Sequence, residues 1–321
     1  VIQWFPGHMH KARKAFHERL SDTDVVIEMV DARLPRSSSN PMLEELVLGR
    51  KPLLKVLNKQ DLADPSVTQQ WLHWFASHEK TQAIGLDYHE RAPARRILEA
   101  SRSLAPHRAS FDKPLRLIIC GIPNVGKSTL INTLTGRKVA KTGNEPAITK
   151  TQQRVELDEN VTLWDTPGML WPKIEHPFCG DMLAASGAIG RNALDEEGVT
   201  LSLLTVLAQR YPDALRERYQ LAELATTDFE LFEQIGRRMG TVRAGGRVDA
   251  QKAAERLLTD FRDGRIGRIS LETPQDWERI SQEIQAQREA EAAARAAQPQ
   301  PKRKKSRAAR LLAEDDDTAA S

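Results

Sequence analysis

Gly121-Ile122-Pro123-Asn124-Val125-Gly126-Lys127-Ser128 follows the apolar run Leu115 to Cys120 and precedes a helix-like segment beginning at Thr129. Strand, glycine-rich loop and helix in that order match the G-x-x-x-x-G-K-S pattern, whose backbone N–H groups turn inward around a β-phosphate. Residues Asn124, Val125, Gly126, Lys127, Ser128 and Thr129 are the expected phosphate-binding set. Lys127 reaches the β- and γ-phosphates, the Ser128 hydroxyl reaches Mg²⁺, and the helix N-terminus adds its partial positive charge. A glycine-rich turn without chemistry is the bland alternative, and the flanking strand and helix argue against it. A nucleoside triphosphate is the expected ligand.

Upstream, Asp24 to Asp31 reads as a strand despite Glu28, with Ala32-Arg33-Leu34-Pro35 as the loop leaving it and a helix from Pro41 to Leu48. Pro52 to Leu57 reads as a second strand that runs into Asn58-Lys59-Gln60-Asp61, an N-K-x-D sequence. The Asp61 carboxylate can accept from both N1–H and the exocyclic amine of guanine. Adenine offers neither donor there, so the base preference is for guanine. Asn58 is expected to tie loops together, and the Lys59 stem to lie along the ring face. Val67, Trp71, Trp74 and Phe75 then recur at helical spacing, a stripe suited to core packing rather than base stacking. Thr81 to Ile84 reads as a short strand, with the Ala83 N–H as the expected contact to guanine O6; a helix over Arg91 to Leu104 and a linker to Pro114 follow.

Downstream, the polar and turn-rich Val139 to Lys150 reads as a switch segment. Thr149 is the expected second Mg²⁺ hydroxyl ligand, with Thr151 as its alternative. Val161 to Trp164 reads as a strand ending in Asp165-Thr166-Pro167-Gly168, a D-x-x-G sequence. Asp165 is expected to hold Mg²⁺ through water and the Gly168 N–H to sense the γ-phosphate. The N-K-x-D motif precedes the phosphate loop here, whereas in most GTPases it follows, so the chain reads as circularly permuted. A parallel α/β sheet tolerates such a change, because its ligand site is assembled from loops at the carboxyl ends of several strands.

Composition is consistent with this reading. The chain has 321 residues, 40% of them hydrophobic, which is enough for two ordinary domains. Its two cysteines, Cys120 and Cys179, have no metal-ligand spacing and read as plain thiols in a reducing cytoplasm. No apolar run has the length of a membrane span and the start lacks the apolar core of a signal peptide, so a cytoplasmic location with no membrane partner is expected.

The motifs as a set are similar to those of the YlqF/RbgA-type ribosome biogenesis GTPases: Trp4-Phe5-Pro6-Gly7-His8-Met9, the DARLP loop, NKQD, GIPNVGKST, DTPG followed by Trp171-Pro172-Lys173, and Leu258 to Leu271. The resemblance implies a permuted GTPase that binds GTP/GDP and hydrolyses GTP with Mg²⁺. It further implies binding to the precursor of the large ribosomal subunit and its rRNA in the GTP state, and departure after subunit-stimulated hydrolysis. One departure is Ala147, where that family usually has glycine before the switch I Ile-Thr. Met169 stands where Ras-like enzymes carry a water-orienting glutamine, and a thioether cannot hydrogen-bond water usefully. The resemblance assigns that catalytic role to His8, whose imidazole can position water near neutral pH. Asn124 in P-N-V-G-K-S accompanies K⁺ in several GTPases, so a K⁺ contact there is expected; a loop hydrogen bond is the plainer alternative.

The expected architecture is therefore α/β: a circularly permuted P-loop GTPase domain over residues 1–180, its sheet mostly parallel with helices on both faces, followed by a small α-helical RNA-binding domain over 181–283. Arg237, Arg238, Arg243, Arg247, Lys252 and Arg256 give the latter a basic character suited to rRNA phosphate, although a solvated helix face would look similar. Residues 284–321, with Lys302-Arg303-Lys304-Lys305 before Glu314-Asp315-Asp316-Asp317, read as a charged, disordered tail. The rival reading is a GTP-dependent RNA-modification or metabolic enzyme, for which no acceptor-site constellation is evident.

Overall fold

Aliphatic runs without polar alternation suit strands that are covered on both faces, and six strands form one sheet in the order β3-β2-β1-β4-β6-β5. They are β1 (Val25–Asp31), β2 (Leu53–Asn58), β3 (Thr81–Leu86), β4 (Leu115–Gly121), β5 (Gln153–Asp158) and β6 (Val161–Asp165). Every neighbouring pair is parallel except β5 and β6. The computed structural model describes residues 7–87, 90, 93–108, 113–136, 153–158, 160–171, 173–190 and 195–297. Thr149, Thr151, Ala147 and the charged tail beyond residue 297 lie outside them.

Helices α1 (Gly7–Leu20), α2 (Pro41–Val47), α3 (Pro65–Ala76), α4 (Pro93–Leu104) and α5 (Lys127–Thr135) accompany the sheet. The chain moves one way from β1 through β2 to β3, then crosses back to β4. Right-handed crossovers therefore put α2 and α3 on one face and α4 on the other, where it packs with α5. On the first face, Phe16 and Leu20 of α1 and Leu43 and Val47 of α2 pack with Val26, Ile118, Cys120 and Met169. Beside them Val67, Trp71 and Phe75 of α3 cover Val30 and Leu57. Each of these larger side chains contributes about 1.5–3 kcal/mol relative to exposure. The aromatic stripe is core, with the Trp71 and Phe75 rings stacked at 5.7 Å. Both cysteines are buried free thiols.

Glu28 is tolerated in the middle of β1 because Lys55 stands directly opposite on β2, with Nζ 2.5 Å from Oε2 and both side chains almost fully buried. Lys55 also donates to Ser39 Oγ at 3.0 Å, while Glu28 Oε1 accepts the Asn40 N–H at 2.9 Å. Asn40 in turn caps α2 by accepting from the Met42 N–H, and donates its Nδ2 to the Met169 carbonyl at 3.1 Å.

After β6 every described regular element is helical: α6 (Pro177–Ser186), α7 (Glu196–Arg210), α8 (Pro212–Tyr219), α9 (Asp228–Arg238), α10 (Ala250–Arg262) and α11 (Pro274–Ala297). Helices α6, α9 and α10 all pack against α7, whose Leu203, Leu204 and Leu207 are buried. Residues through Glu278 form one unit, and those from Arg279 on form a second. The first helix after β6 starts at Pro177. The β5 edge strand was not expected, and β3 extends to Leu86 rather than ending at Ile84.

Candidate nucleotide-binding site

Strand order reverses between β1 and β4, and the loops leaving those strands diverge to form a crevice at their carboxyl ends, which is where open α/β sheets bind ligands. The phosphate loop leaves β4, N-K-x-D leaves β2, D-x-x-G leaves β6 and DARLP leaves β1. Four separately encoded motifs are thereby brought together.

Asn58 ends β2 and donates Nδ2 to the Val125 carbonyl at 2.8 Å, tying N-K-x-D to the phosphate loop. The approach is close. Gly126 has φ +98°, and a Cβ there would meet Asn58 Nδ2 at 2.3 Å. Lys59 adopts the left-handed conformation at φ 62° and donates Nζ to Asp31 Oδ2 at 3.1 Å and to the Asn124 carbonyl at 3.3 Å. Its pKa is lowered by burial, with Asp31 opposing that shift. Asp61 follows in the short turn Gln60–Leu62.

Lys127 opens α5, with Ser128 half-buried and Thr129 exposed in its first turn. Lys127 Nζ donates to Asp165 Oδ1 at 2.9 Å, while Asp165 Oδ2 is buried and has no hydrogen-bond partner among the described residues. Burial raises the pKa of Asp165 against the pull of Lys127. An orphaned carboxylate oxygen beside the Lys127-Ser128 pair fits the oxygen donor set that Mg²⁺ takes. Gly168 lies so close to the phosphate loop that a Cβ would be 3.1 Å from Pro123 N and Cα. The Met169 N–H donates to the Gly121 carbonyl at 3.1 Å, and the Met169 side chain points into the core beside Phe16 and Leu20. A residue at that position faces away from the phosphate loop.

Asn124, also left-handed at φ 58°, donates Nδ2 to the Gly187 carbonyl at 2.8 Å, just past the end of α6. His8 lies in the first turn of α1, with its side chain outside the described residues.

Ala83 requires a correction. It sits in the middle of β3 opposite Lys55, three residues before Leu86, which pairs with Asn58. Its N–H is therefore well away from the carboxyl end of the sheet. Leu86 and Asp87 instead line a cleft with Asn58, Gly126, Thr129 and Leu130. Gly85 continues β3 opposite Leu57, and a Cβ there would fall 1.9 Å from Gln60 Oε1, so the Gln60 side chain lies against this glycine.

Sequence reasoning also missed the support behind Lys59. Asp31 is held by Arg33 through Nε at 2.9 Å and Nη2 at 2.8 Å. Burial works against the Asp31 charge, but Arg33 and Lys59 hold its pKa well below the ordinary carboxylate range. The loop that follows is pinned by buried Glu272, which accepts the Arg36 N–H at 2.6 Å, the Ser37 N–H at 3.0 Å and the Ser37 hydroxyl. An acid at the carboxyl end of a parallel strand was the available signal for Asp31.

A family model described as 50S ribosome-binding GTPase matches residues 116–228. Ribosome biogenesis GTPase A of Bacillus cereus is 42% identical over 286 residues, covering 86% of this chain and 95% of that protein. Among solved structures, the GDP-bound structure of TM YlqF aligns with a TM-score of 0.61 at 26% identity, over 81% of this chain and 99% of that one. The crystal structure of GNP-bound YlqF from T. maritima aligns at 0.58 and 26%, over 82% and 98%.

Proposed function

The chain belongs to the ribosome biogenesis GTPase A family, and from that premise we propose that it is a GTP-hydrolysing assembly factor that binds the large-subunit precursor and its rRNA in the GTP state and leaves after subunit-stimulated hydrolysis. The observation that carries the nucleotide site is the convergence on one phosphate loop of Asn58 from β2, bonded to Val125, and Asp165 from β6, bonded to Lys127.

In this reading Asp61 accepts the guanine N1–H and amine, Lys59 flanks the base, and the backbone from Asn124 to Thr129 cradles the phosphates. Lys127 neutralises the β- and γ-phosphates, and the Gly168 N–H reads the γ-phosphate. Ser128, Thr149 and, through water, Asp165 would hold Mg²⁺, whose charge offsets that of the transferring phosphoryl group. His8 positions the attacking water, a role for which the buried Met169 is unsuited. With Asn124 Nδ2 turned to Gly187, Oδ1 is the atom by which it would meet K⁺.

Residues 1–180 are assigned to nucleotide, 181–283 to rRNA and 284–321 to the tail. The location is cytoplasmic, and among the described residues no helix is long and apolar enough to cross a membrane. The metabolic or RNA-modifying alternative is not favoured by the relatives, which are named as ribosome biogenesis GTPases.

The test is GTP hydrolysis in potassium buffer with large subunits, with small subunits and with neither. Stimulation by large subunits alone, lost in His8→Ala, is the expected result. Turnover that is indifferent to every particle would overturn the assembly role.

A further inference from the structure

The C-terminal end of α10 touches both nucleotide-binding loops through short chains of contacts. Arg262 donates Nε to the Ala185 carbonyl at 2.8 Å and Nη2 to the Ala184 carbonyl at 2.9 Å, placing a guanidinium on the negative end of α6. Directly beyond is Gly187, in the left-handed conformation at φ +84°, whose carbonyl receives Asn124 Nδ2 from the phosphate loop. The Arg262 side chain lies along this glycine, where a Cβ would be 3.4 Å from Nε. The preceding residue serves the other loop. The Phe261 carbonyl accepts Arg33 Nη1 at 3.2 Å, and its ring lies under the same guanidinium at 4.6 Å. Arg33 grips Asp31, and Asp31 receives Lys59 of N-K-x-D. Lys59 donates to the Asn124 carbonyl, which closes the ring.

We propose that Phe261 and Arg262 position both nucleotide-binding loops at once: Arg262 acts on the phosphate loop through the end of α6 and Asn124, and Phe261 acts on the base-reading loop through Arg33, Asp31 and Lys59. The proposal rests on the guanine-nucleotide reading above and extends it to residues that need not touch the nucleotide. Because coupling between sites is reciprocal, bound nucleotide also steadies the end of α10, and a ligand of the helical region that shifts α10 changes nucleotide affinity.

The test uses the full chain as wild type, Arg262→Met, Arg262→Lys and Arg33→Lys. The readouts are affinities and dissociation rates for fluorescent GDP and IDP, and melting without nucleotide. IDP lacks the exocyclic amine that Asp61 would accept, so the GDP-to-IDP affinity ratio reports the base-reading loop separately from overall folding. Arg262→Met is expected to speed GDP and IDP release alike, by about ten-fold. Arg262→Lys keeps a charged donor and is expected to recover part of that loss. Arg33→Lys cannot reach Asp31 through two nitrogens and Phe261 together, so its GDP-to-IDP ratio is expected to fall by about three-fold or more.

Release rates for Arg262→Met within about two-fold of wild type, with only the melting temperature lowered, would reduce Arg262 to a helix cap and overturn the proposal. An unchanged ratio in Arg33→Lys overturns the Phe261 arm. If that variant does not fold, Phe261→Leu, which removes the ring beneath the Arg33 guanidinium and keeps the carbonyl, decides that arm by the same ratio. A wild-type chain that fails to bind GDP removes the guanine-nucleotide reading itself, and the proposal with it.

Discussion

Replacing Gly126 by alanine places one methyl group where the structure has two reasons to refuse it. The backbone there is at φ +98°, and the new Cβ would lie 2.3 Å from Asn58 Nδ2. Holding an L-residue in such a conformation costs about 1–3 kcal/mol. Asn58 must also swing aside and surrender its bond to the Val125 carbonyl, a further loss of about 1 kcal/mol. Both penalties fall on the form of the loop that cradles phosphate. A total of about 2–4 kcal/mol corresponds to GDP binding weakened roughly 30- to 700-fold. Titration with fluorescent GDP measures the loss, and melting without nucleotide reports whether the variant folds. A folded variant that binds GDP within about three-fold of wild type would refute the argument that this φ and this contact set the loop.

Three further outcomes follow from the packing. Lys55→Met strands the Glu28 carboxylate in the sheet and should destabilise by about 3–5 kcal/mol. Glu28→Leu with Lys55→Met removes that charge but leaves the buried Asn40 N–H unpaired, so it should recover only part of the loss; urea unfolding in which the single effects simply add would exclude the coupling. Met169→Gln puts an amide into the apolar cluster with Phe16 and Leu20. It should cost about 1–3 kcal/mol in denaturant melts without raising hydrolysis, and faster turnover would show that the position faces the γ-phosphate after all. The depressed pKa of Asp31 means that its ion pairs stabilise the fold above the ordinary value of 3.8 and that this contribution is lost as pH falls below it. The stability gap between wild type and Asp31→Asn should therefore be widest near neutral pH and narrow in acid; a gap that is constant with pH would contradict the assignment.

The parts of the site that could be read from sequence are those that local chemistry dictates. Gly126, Lys127 and Asp61 belong to short motifs whose residue types are fixed by phosphate and guanine, and the buried strands β1 and β2, with β4 in which Arg116 alone is partly exposed, announce themselves as largely apolar runs. The edge strand β5 buries little beyond Val155 and has no such run. The last two residues of β3, Gly85 and Leu86, carry no local strand signal, and it is their pairing with Leu57 and Asn58 that keeps them in the sheet. Nothing local connects Arg33 with Phe261 or Ser37 with Glu272, since those contacts exist only once the helical segment has packed.

The place of β1 in the sheet also bears on how the chain is made. β1 lies between β2 and β4, with Val26 opposite both Leu53 and Ile118. During synthesis its partner β2 emerges soon after it, but the other side keeps its N–H and C=O groups bare until the segment ending at Gly121 has left the translating ribosome. At about 5–20 residues per second that interval is several seconds, during which an apolar strand edge is open to wrong pairing. The phosphate loop and the strand that seals this edge arrive together, so the nascent chain gains its nucleotide-binding loop and the second partner of β1 in one step.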